Sequence, residues 1–174
     1  NQHMSNFSFI PEGHKMPSSK GRYTKVKEGE TLKLRVLSLQ IIDGFTRWTN
    51  DNKPIRWRNG EDEPAGFDFR EGDKARYFWA LVVWNYETEQ SEVWEITQKS
   101  ILDSLRNYAT DEDWGHPNTY DLKIARTGAG LETSYALTAL PHKAMTKKVE
   151  EAMNTNFPDV HALFSGDDPF KAAK

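Results

Sequence analysis

RYFWALVVWNYETEQSEVWEIT, residues 76–97, decides the fold class of this 174-residue chain. Residues 76–86 are rich in the β-branched and aromatic side chains that favour strands. The polar residues 87–91 follow, and residues 92–97 then alternate between apolar and polar side chains, which is the period of a strand. The stretch therefore predicts a β-hairpin with its turn at residues 87–91.

The first strand of this hairpin has large side chains on both faces. Alternation places Tyr77 and Trp79 on one face and Phe78 and Trp84 on the other. One of the two sets has to form the core, and the sequence leaves open which one it is.

Further strands are predicted on both sides of the hairpin. Residues 31–42 begin with strict alternation, and a long polar loop with Gly, Asn, Asp and Pro follows from residue 44 to about residue 74. Residues 120–126 and 133–140 alternate again, joined by a Gly-containing turn at 127–132. Pro141 is expected to end the last strand.

Helices are predicted in two places. Ile101, Leu105 and Tyr108 share one helical face, and Thr97 is the expected N-cap. Near the C-terminus, residues 146–154 and 158–164 have the pattern of short helices.

This element order predicts a mainly β protein. It corresponds to a five-stranded barrel of the oligonucleotide/oligosaccharide-binding type, the OB-fold, with one helix between strands 3 and 4 and short C-terminal helices. The long loop then lies between strands 1 and 2. We expect an irregular basic arm over residues 1–30, the barrel over 31–141, and a helical segment with a tail over 142–174.

Charge is distributed unevenly along the chain. The net charge is -3, but residues 15–58 contain eleven Lys/Arg against four Asp/Glu, and residues 59–174 contain twelve against twenty-one. A basic front part points to an anionic ligand held there. The alternative is chance clustering of surface charge.

The loop at residues 44–66 concentrates cations around two tryptophans. Single-stranded nucleic acid requires cations for its phosphates and flat side chains for its unpaired bases. The competing interpretation is that the tryptophans pin the loop on the barrel. The predicted nucleic-acid-binding residues, in the loop and on the strands beside it, are Arg35, Arg47, Trp48, Lys53, Arg56, Trp57, Arg58, Arg76, Tyr77, Trp79, Lys123 and Arg126.

Catalysis and metal binding find little support in the sequence. The chain has no cysteine, its five histidines lack metal-ligand spacing, and no nucleophile-base set or pair of carboxylates stands out. We therefore expect no enzyme, no metal and no cofactor. A carbohydrate-binding module, an RNA-binding OB-fold protein and an interaction protein using the acidic second half remain alternatives.

Several segments resemble a known family. Residues 77–86, 93–101 and above all 121–128, with Asp-Leu-x-Ile-x-Arg-x-Gly, are similar to phage-type single-stranded-DNA-binding proteins. The resemblance covers about residues 30–140. It implies an OB-fold that coats exposed strands in DNA replication, recombination or repair, in the host cytoplasm if the protein is phage-encoded. Because this chain lacks cysteine, the structural zinc of some members is not carried over.

Both ends of the chain suggest further contacts. Lys15, Lys20, Arg22, Lys25 and Lys27 make the N-terminal arm basic, which is compatible with self-association. Residues 165–170, Ser-Gly-Asp-Asp-Pro-Phe, resemble the acidic tip with which bacterial single-stranded-DNA-binding proteins recruit partners, although Lys-Ala-Ala-Lys follows. Replication or recombination proteins are therefore possible partners of the tail. No signal peptide or membrane span is apparent, and we expect natural numbering to begin at Met4.

Overall fold

A computed structural model describes residues 9–12 and 22–171. In this part of the chain the protein is mainly β, with one antiparallel sheet of seven strands. The strands are β1 Thr31–Val36, β2 Ile42–Trp48, β3 Pro54–Arg58, β4 Arg76–Asn85, β5 Gln90–Ile96, β6 Tyr120–Thr127 and β7 Ser134–His142. The helices are α1 Lys99–Thr110, α2 Lys147–Asn154 and three short 3-10 helices, Pro117–Thr119, Gly130–Glu132 and Val160–Ser165.

The long strand β4 organises the sheet. One edge of β4 pairs with β5 along seven residues, which is the predicted hairpin. Its other edge pairs with β2 in the first half and with β1 in the second half. β1 then pairs with β6, and β6 with β7. Among the described residues β5 and β7 do not pair, so the sheet is not closed there, and it has seven strands instead of the expected five.

Both faces of β4 are core. Leu81 and Val83 pack with α1, β1 and β6 in one apolar cluster. Phe78 and Val82 face the other way, into a cluster that the C-terminal segment completes through Val149, Val160 and Leu163. The sequence leaves open which face of this strand forms the core. In the structure both faces do, because each is packed against a different apolar cluster.

The prediction of one long loop from residue 44 to about residue 74 is wrong for the first half of that segment, which is mostly β-strand. β2 and β3 form a hairpin in which Gly44–Trp48 pair with Pro54–Arg58. The strands lack the usual alternation because both faces carry large aromatic or charged side chains, so the periodic signal is absent. Only residues 59–75 form a long connection. It returns alongside the end of β2, where the Arg70 N–H donates to the Trp48 carbonyl and the Asn50 N–H donates to the Asp68 carbonyl.

Two expected boundaries also differ. α1 begins at Lys99 with Gln98 as its N-cap, although Ile101 and Leu105 are buried as expected. β7 continues through Pro141 to His142. A proline is tolerated there because β7 is an edge strand among the described strands and Pro141 lies at the register shift of the β6–β7 ladder, where it has no paired partner.

Residues 22–30, the N-terminal strap, begin at the free edge of β5 and end beside β6. The Thr24 N–H donates to the Val93 carbonyl and the Val93 N–H donates to the Arg22 carbonyl, both at 2.8 Å. At the far end Gly29 and Glu30 bond with the backbone of Arg126 at 3.0 Å. The pairing with β5 is a single parallel bridge from Tyr23 to Val93, not a strand. Lys15 and Lys20 of the expected basic arm lie outside the described residues.

No helix in residues 9–12 and 22–171 is long and apolar enough to cross a membrane.

Candidate functional site

A groove of about 1090 Å³ lies where five parts of the chain meet, and we call it the basic groove. Its walls are the strap, the tip of the β2–β3 hairpin, the end of β5 with the start of α1, the turn end of the β6–β7 hairpin and the C-terminal segment. It contains five cationic side chains, those of Arg22, Lys25, Lys53, Arg56 and Arg126, against three carboxylates, Glu95, Asp167 and Asp168.

The two lysines are the most accessible cations of the basic groove. Lys25 is exposed, and within the described residues it makes no hydrogen bond or ion pair. The Lys53 Nζ lies 3.6 Å from a carboxylate oxygen of Asp51, but both side chains are largely exposed, at 74% and 67%. An ion pair so exposed is weak, so Lys53 is free to exchange partners.

Arg126 enters the groove from the end of β6. Its Nη1 donates to the Val26 carbonyl at 3.2 Å, which ties it to the strap. Its guanidinium carbon lies 5.9 Å from the centre of the Tyr135 ring. Its Nε is buried without a hydrogen-bond partner among the described residues, so this side chain keeps an unused donor.

Arg22 contributes to the groove together with the C-terminal segment. Its guanidinium donates to the carbonyl and hydroxyl of Ser91 and lies 4.2 Å from the centre of the Phe170 ring. Burial lowers the pKa of Arg22, and the charges of Glu92 and Asp168 oppose that change. Tyr23 meets Phe170 edge-on at 5.6 Å.

Arg56 reaches from β3 to β5. Its Nε donates to Glu95 Oε2 at 2.6 Å and its Nη2 to Oε1 at 3.4 Å. The two side chains are 13% and 23% exposed, so the pair is partly covered but touches the groove.

Aromatic surface in the groove comes from several elements. Trp48 and Tyr135 are half-buried and both line the groove. The guanidinium of Arg70 lies 5.3 Å from the centre of the Trp48 ring. Trp94 also borders the groove but is only 3% exposed, so it belongs chiefly to the core.

The turn between β6 and β7 is compact. Gly128 has φ +75°, and a Cβ there would collide with the backbone of Glu132. Glycine is therefore required at this position. The tight turn brings Arg126 and Tyr135, which pair across the two strands, to the same wall of the groove.

Four of the twelve predicted binding residues meet in the basic groove, namely Trp48, Lys53, Arg56 and Arg126. The other eight lie elsewhere, and several already have partners.

Arg35 is an interior side chain. It is 1% exposed and its Nε donates to Asp121 Oδ1 at 2.7 Å, while its Nη atoms donate to the carbonyls of Asn118 and Lys143. Its guanidinium is occupied by the fold and is not presented to the groove.

Trp57 and Arg47 lie on the other face of the β2–β3 hairpin, which we call the closed face. Trp57 is 7% exposed and stacks on Phe45 with ring centres 6.0 Å apart. Arg47 donates to the Asp73 carbonyl and to Glu63, and it lies over the Phe69 ring. Residues of the connection 59–75 therefore supply the hydrogen-bond and ring contacts of Arg47 on the closed face.

Tyr77 and Trp79 share a polar chain outside the groove. The Trp79 indole donates to the Tyr77 hydroxyl at 2.9 Å, and the hydroxyl donates to Asp43 at 2.6 Å. Tyr77 also packs against Phe45 of the closed face.

Arg58, Arg76 and Lys123 are exposed but do not border the groove. Arg58 lies 3.9 Å from Glu61 and over the Phe164 ring. Arg76 begins β4, and Lys123 pairs with Lys33 of β1 on the outer surface.

The sequence interpretation did not include four of the groove's residues, Arg22, Tyr23, Lys25 and Tyr135. The basic composition of the arm was the available signal for Arg22 and Lys25. No local pattern indicates that the strap returns to β5, because that contact joins residues about seventy positions apart.

In residues 9–12 and 22–171 no group of three or more His, Asp and Glu side chains is placed to hold a metal ion. Comparison of the chain with protein-family models, curated proteins and solved structures gives no match.

Proposed function

We propose that the protein binds single-stranded DNA with low sequence specificity in the basic groove. The observation that carries the proposal is the meeting of Lys25, Lys53 and Arg126 with the Trp48 and Tyr135 rings in one open groove. Cations that follow a phosphate backbone, combined with rings that stack on any base, are what a single strand requires. Coating of exposed strands in replication, recombination or repair is the wider role that we infer.

An OB-type barrel is the finer fold that we propose. In this interpretation β1 and β2 are two halves of a broken first strand, since both pair with β4. β4 and β5 are then the second and third strands, α1 follows, and β6 and β7 are the fourth and fifth. The β2–β3 hairpin and the β6–β7 turn take the positions of the two loops that flank the ligand in OB-folds. The resemblance to phage-type single-stranded-DNA-binding proteins supports the same proposal.

A fluorescence titration tests the proposed function. Tryptophan emission is followed while oligo-dT, oligo-U, a DNA duplex or a neutral oligosaccharide is added at two salt concentrations. We expect quenching by oligo-dT with an affinity that falls steeply with salt, because bound cations release counterions from the strand. Preference for oligo-U would make the protein an RNA binder, and salt-independent binding of the sugar would replace the proposal with carbohydrate binding.

Matched lysine variants locate the site. Each phosphate contact on a single strand contributes about -0.7 to the slope of log K against log salt. We expect Lys53→Gln to flatten the slope by about this amount. Lys123→Gln removes the same charge on the outer surface of β6 and should leave the slope unchanged. The reverse result would move the site from the groove to the outer surface.

A further inference from the structure

We propose that Glu95 limits the affinity of the basic groove by neutralising Arg56 until a phosphate replaces it. The inference rests on the proposed function, and it names a regulatory carboxylate inside the same site. Glu95 thereby sets the free-energy cost of bringing Arg56 into contact with a phosphate.

The Arg56–Glu95 pair has a geometry that a phosphate can reproduce. Arg56 offers two N–H groups to the two oxygens of Glu95, at 2.6 and 3.4 Å, in the fork arrangement that guanidinium also makes with phosphate. A phosphate oxygen can therefore take the position of either carboxylate oxygen. While Glu95 holds that position, Arg56 contributes no net charge to the groove.

Glu95 is exposed enough to be released from Arg56 into water. Its side chain is 23% exposed, and Arg56 is its one hydrogen-bond partner among the described residues. Asp121, by contrast, is 3% exposed and accepts from both Arg35 and the Tyr86 hydroxyl. Glu95 can thus be hydrated when Arg56 leaves, whereas Asp121 cannot.

Release of Arg56 from Glu95 breaks no backbone pairing of β3. β3 pairs only with β2 among the described strands, and the Arg56–Glu95 pair bridges it to β5 through side chains. No backbone ladder between β3 and β5 has to break when Arg56 turns toward a ligand. Exchange of Glu95 for phosphate therefore costs mainly one partly exposed ion pair.

The test compares the wild-type protein with Glu95→Gln and with Glu112→Gln, which removes the same charge from an exposed loop outside the groove. Oligo-dT affinity is measured over a series of salt concentrations. We expect Glu95→Gln to bind about fivefold more tightly, since a partly exposed pair no longer has to be broken. Its salt slope should stay close to the wild-type value, because Arg56 contacts a phosphate in both complexes and only the cost of breaking the ion pair differs.

A double variant shows whether the effect passes through Arg56. Arg56→Gln with Glu95→Gln should lose the gain in affinity and have a salt slope flatter than the wild-type slope by about 0.7, because the phosphate contact of Arg56 is removed. A double variant that keeps the gain would show that the effect does not pass through Arg56. Thermal melting checks that each variant is folded, and Glu95→Thr, which suits a strand, replaces Glu95→Gln if that variant unfolds.

Affinity of Glu95→Gln equal to that of Glu112→Gln, or below it, would overturn the role of Glu95 while leaving the proposed function intact. Failure of the wild-type protein to bind oligo-dT would overturn both proposals. The two failures are therefore distinguishable in one set of titrations.

Discussion

Trp48 and Trp57 lie nine residues apart in one hairpin, between arginines and a lysine, and the fold uses them in opposite ways. Trp48 is half-buried and borders the basic groove. Trp57 is 7% exposed and stacks on Phe45 on the closed face. Because successive side chains of a strand point to opposite faces, local composition cannot distinguish them. What distinguishes them is the layer that covers each face.

Two arginines show the same contrast. Arg35 and Arg56 each bind a carboxylate at about 2.7 Å. Arg35 is enclosed with Asp121 and Tyr86 under the surface, while Arg56 and Glu95 border the groove. A strongly basic segment therefore contains both structural cations and cations that a ligand can reach, and only the tertiary structure separates them.

The largest expected effect is on the closed face. Trp57→Ala should lower the free energy of unfolding by about 3–5 kcal/mol, because it leaves a cavity beside Phe45. Urea denaturation followed by circular dichroism measures this loss. If Trp57→Ala remains as stable as the wild-type protein and instead loses oligo-dT binding, the two tryptophans do not differ as the fold indicates.

An intermediate effect is expected in the groove. Trp48→Ala should weaken oligo-dT binding by about 1–3 kcal/mol through loss of base stacking. Trp48→Phe keeps an aromatic face and serves as the control, with a smaller loss expected. Fluorescence anisotropy of labelled oligo-dT gives both affinities. Unchanged affinity in Trp48→Ala would exclude this ring from the binding surface.

The smallest effect is on stability at alkaline pH, and it comes from Tyr86, which donates a hydrogen bond to the Asp121 that Arg35 also binds. Burial, and next the hydrogen bond to Asp121, raise the pKa of Tyr86 to about 12. The folded state therefore favours the neutral phenol, and this stabilisation is complete below pH 10 and is lost as the pH rises toward 12. We expect Tyr86→Phe to lose less unfolding free energy than the wild-type protein between pH 9 and 11.

Urea midpoints at the two pH values measure that difference. Tyr120, whose pKa burial also raises to about 12, is present in both proteins and accounts for a common part of the decline. An identical decline in the two proteins would show that Tyr86 titrates as an ordinary surface tyrosine.

Regular elements with a clear period were predictable from the sequence. β5 and β6 alternate, α1 and α2 have helical spacing, and β4 is a continuous run of strand-favouring side chains; all lie close to their expected bounds. The β2–β3 hairpin was missed because Arg, Trp and Thr occupy both of its faces. A local pattern cannot indicate a strand whose two faces are equally polar.

The site was predictable only in part, for a different reason. Charge and aromatic content pointed to a hairpin that borders the groove, but not to which of its side chains face it. Arg22 and Lys25 reach the groove because the strap returns to β5, and Phe170 reaches it because the C-terminal segment packs on β4. These contacts join distant parts of the chain, and one sequence contains no periodic signal for them.

The strap also has a consequence for how copies of the chain meet. The outer edge of β5 is a row of unpaired backbone groups, and such an edge recruits strands from other molecules. Thr24 and the backbone and side chain of Arg22 occupy the Ser91 and Val93 groups of this edge. The same nine residues that bring cations to the groove therefore also cover part of an open sheet edge, so protection of that edge and the shape of the groove depend on one short segment.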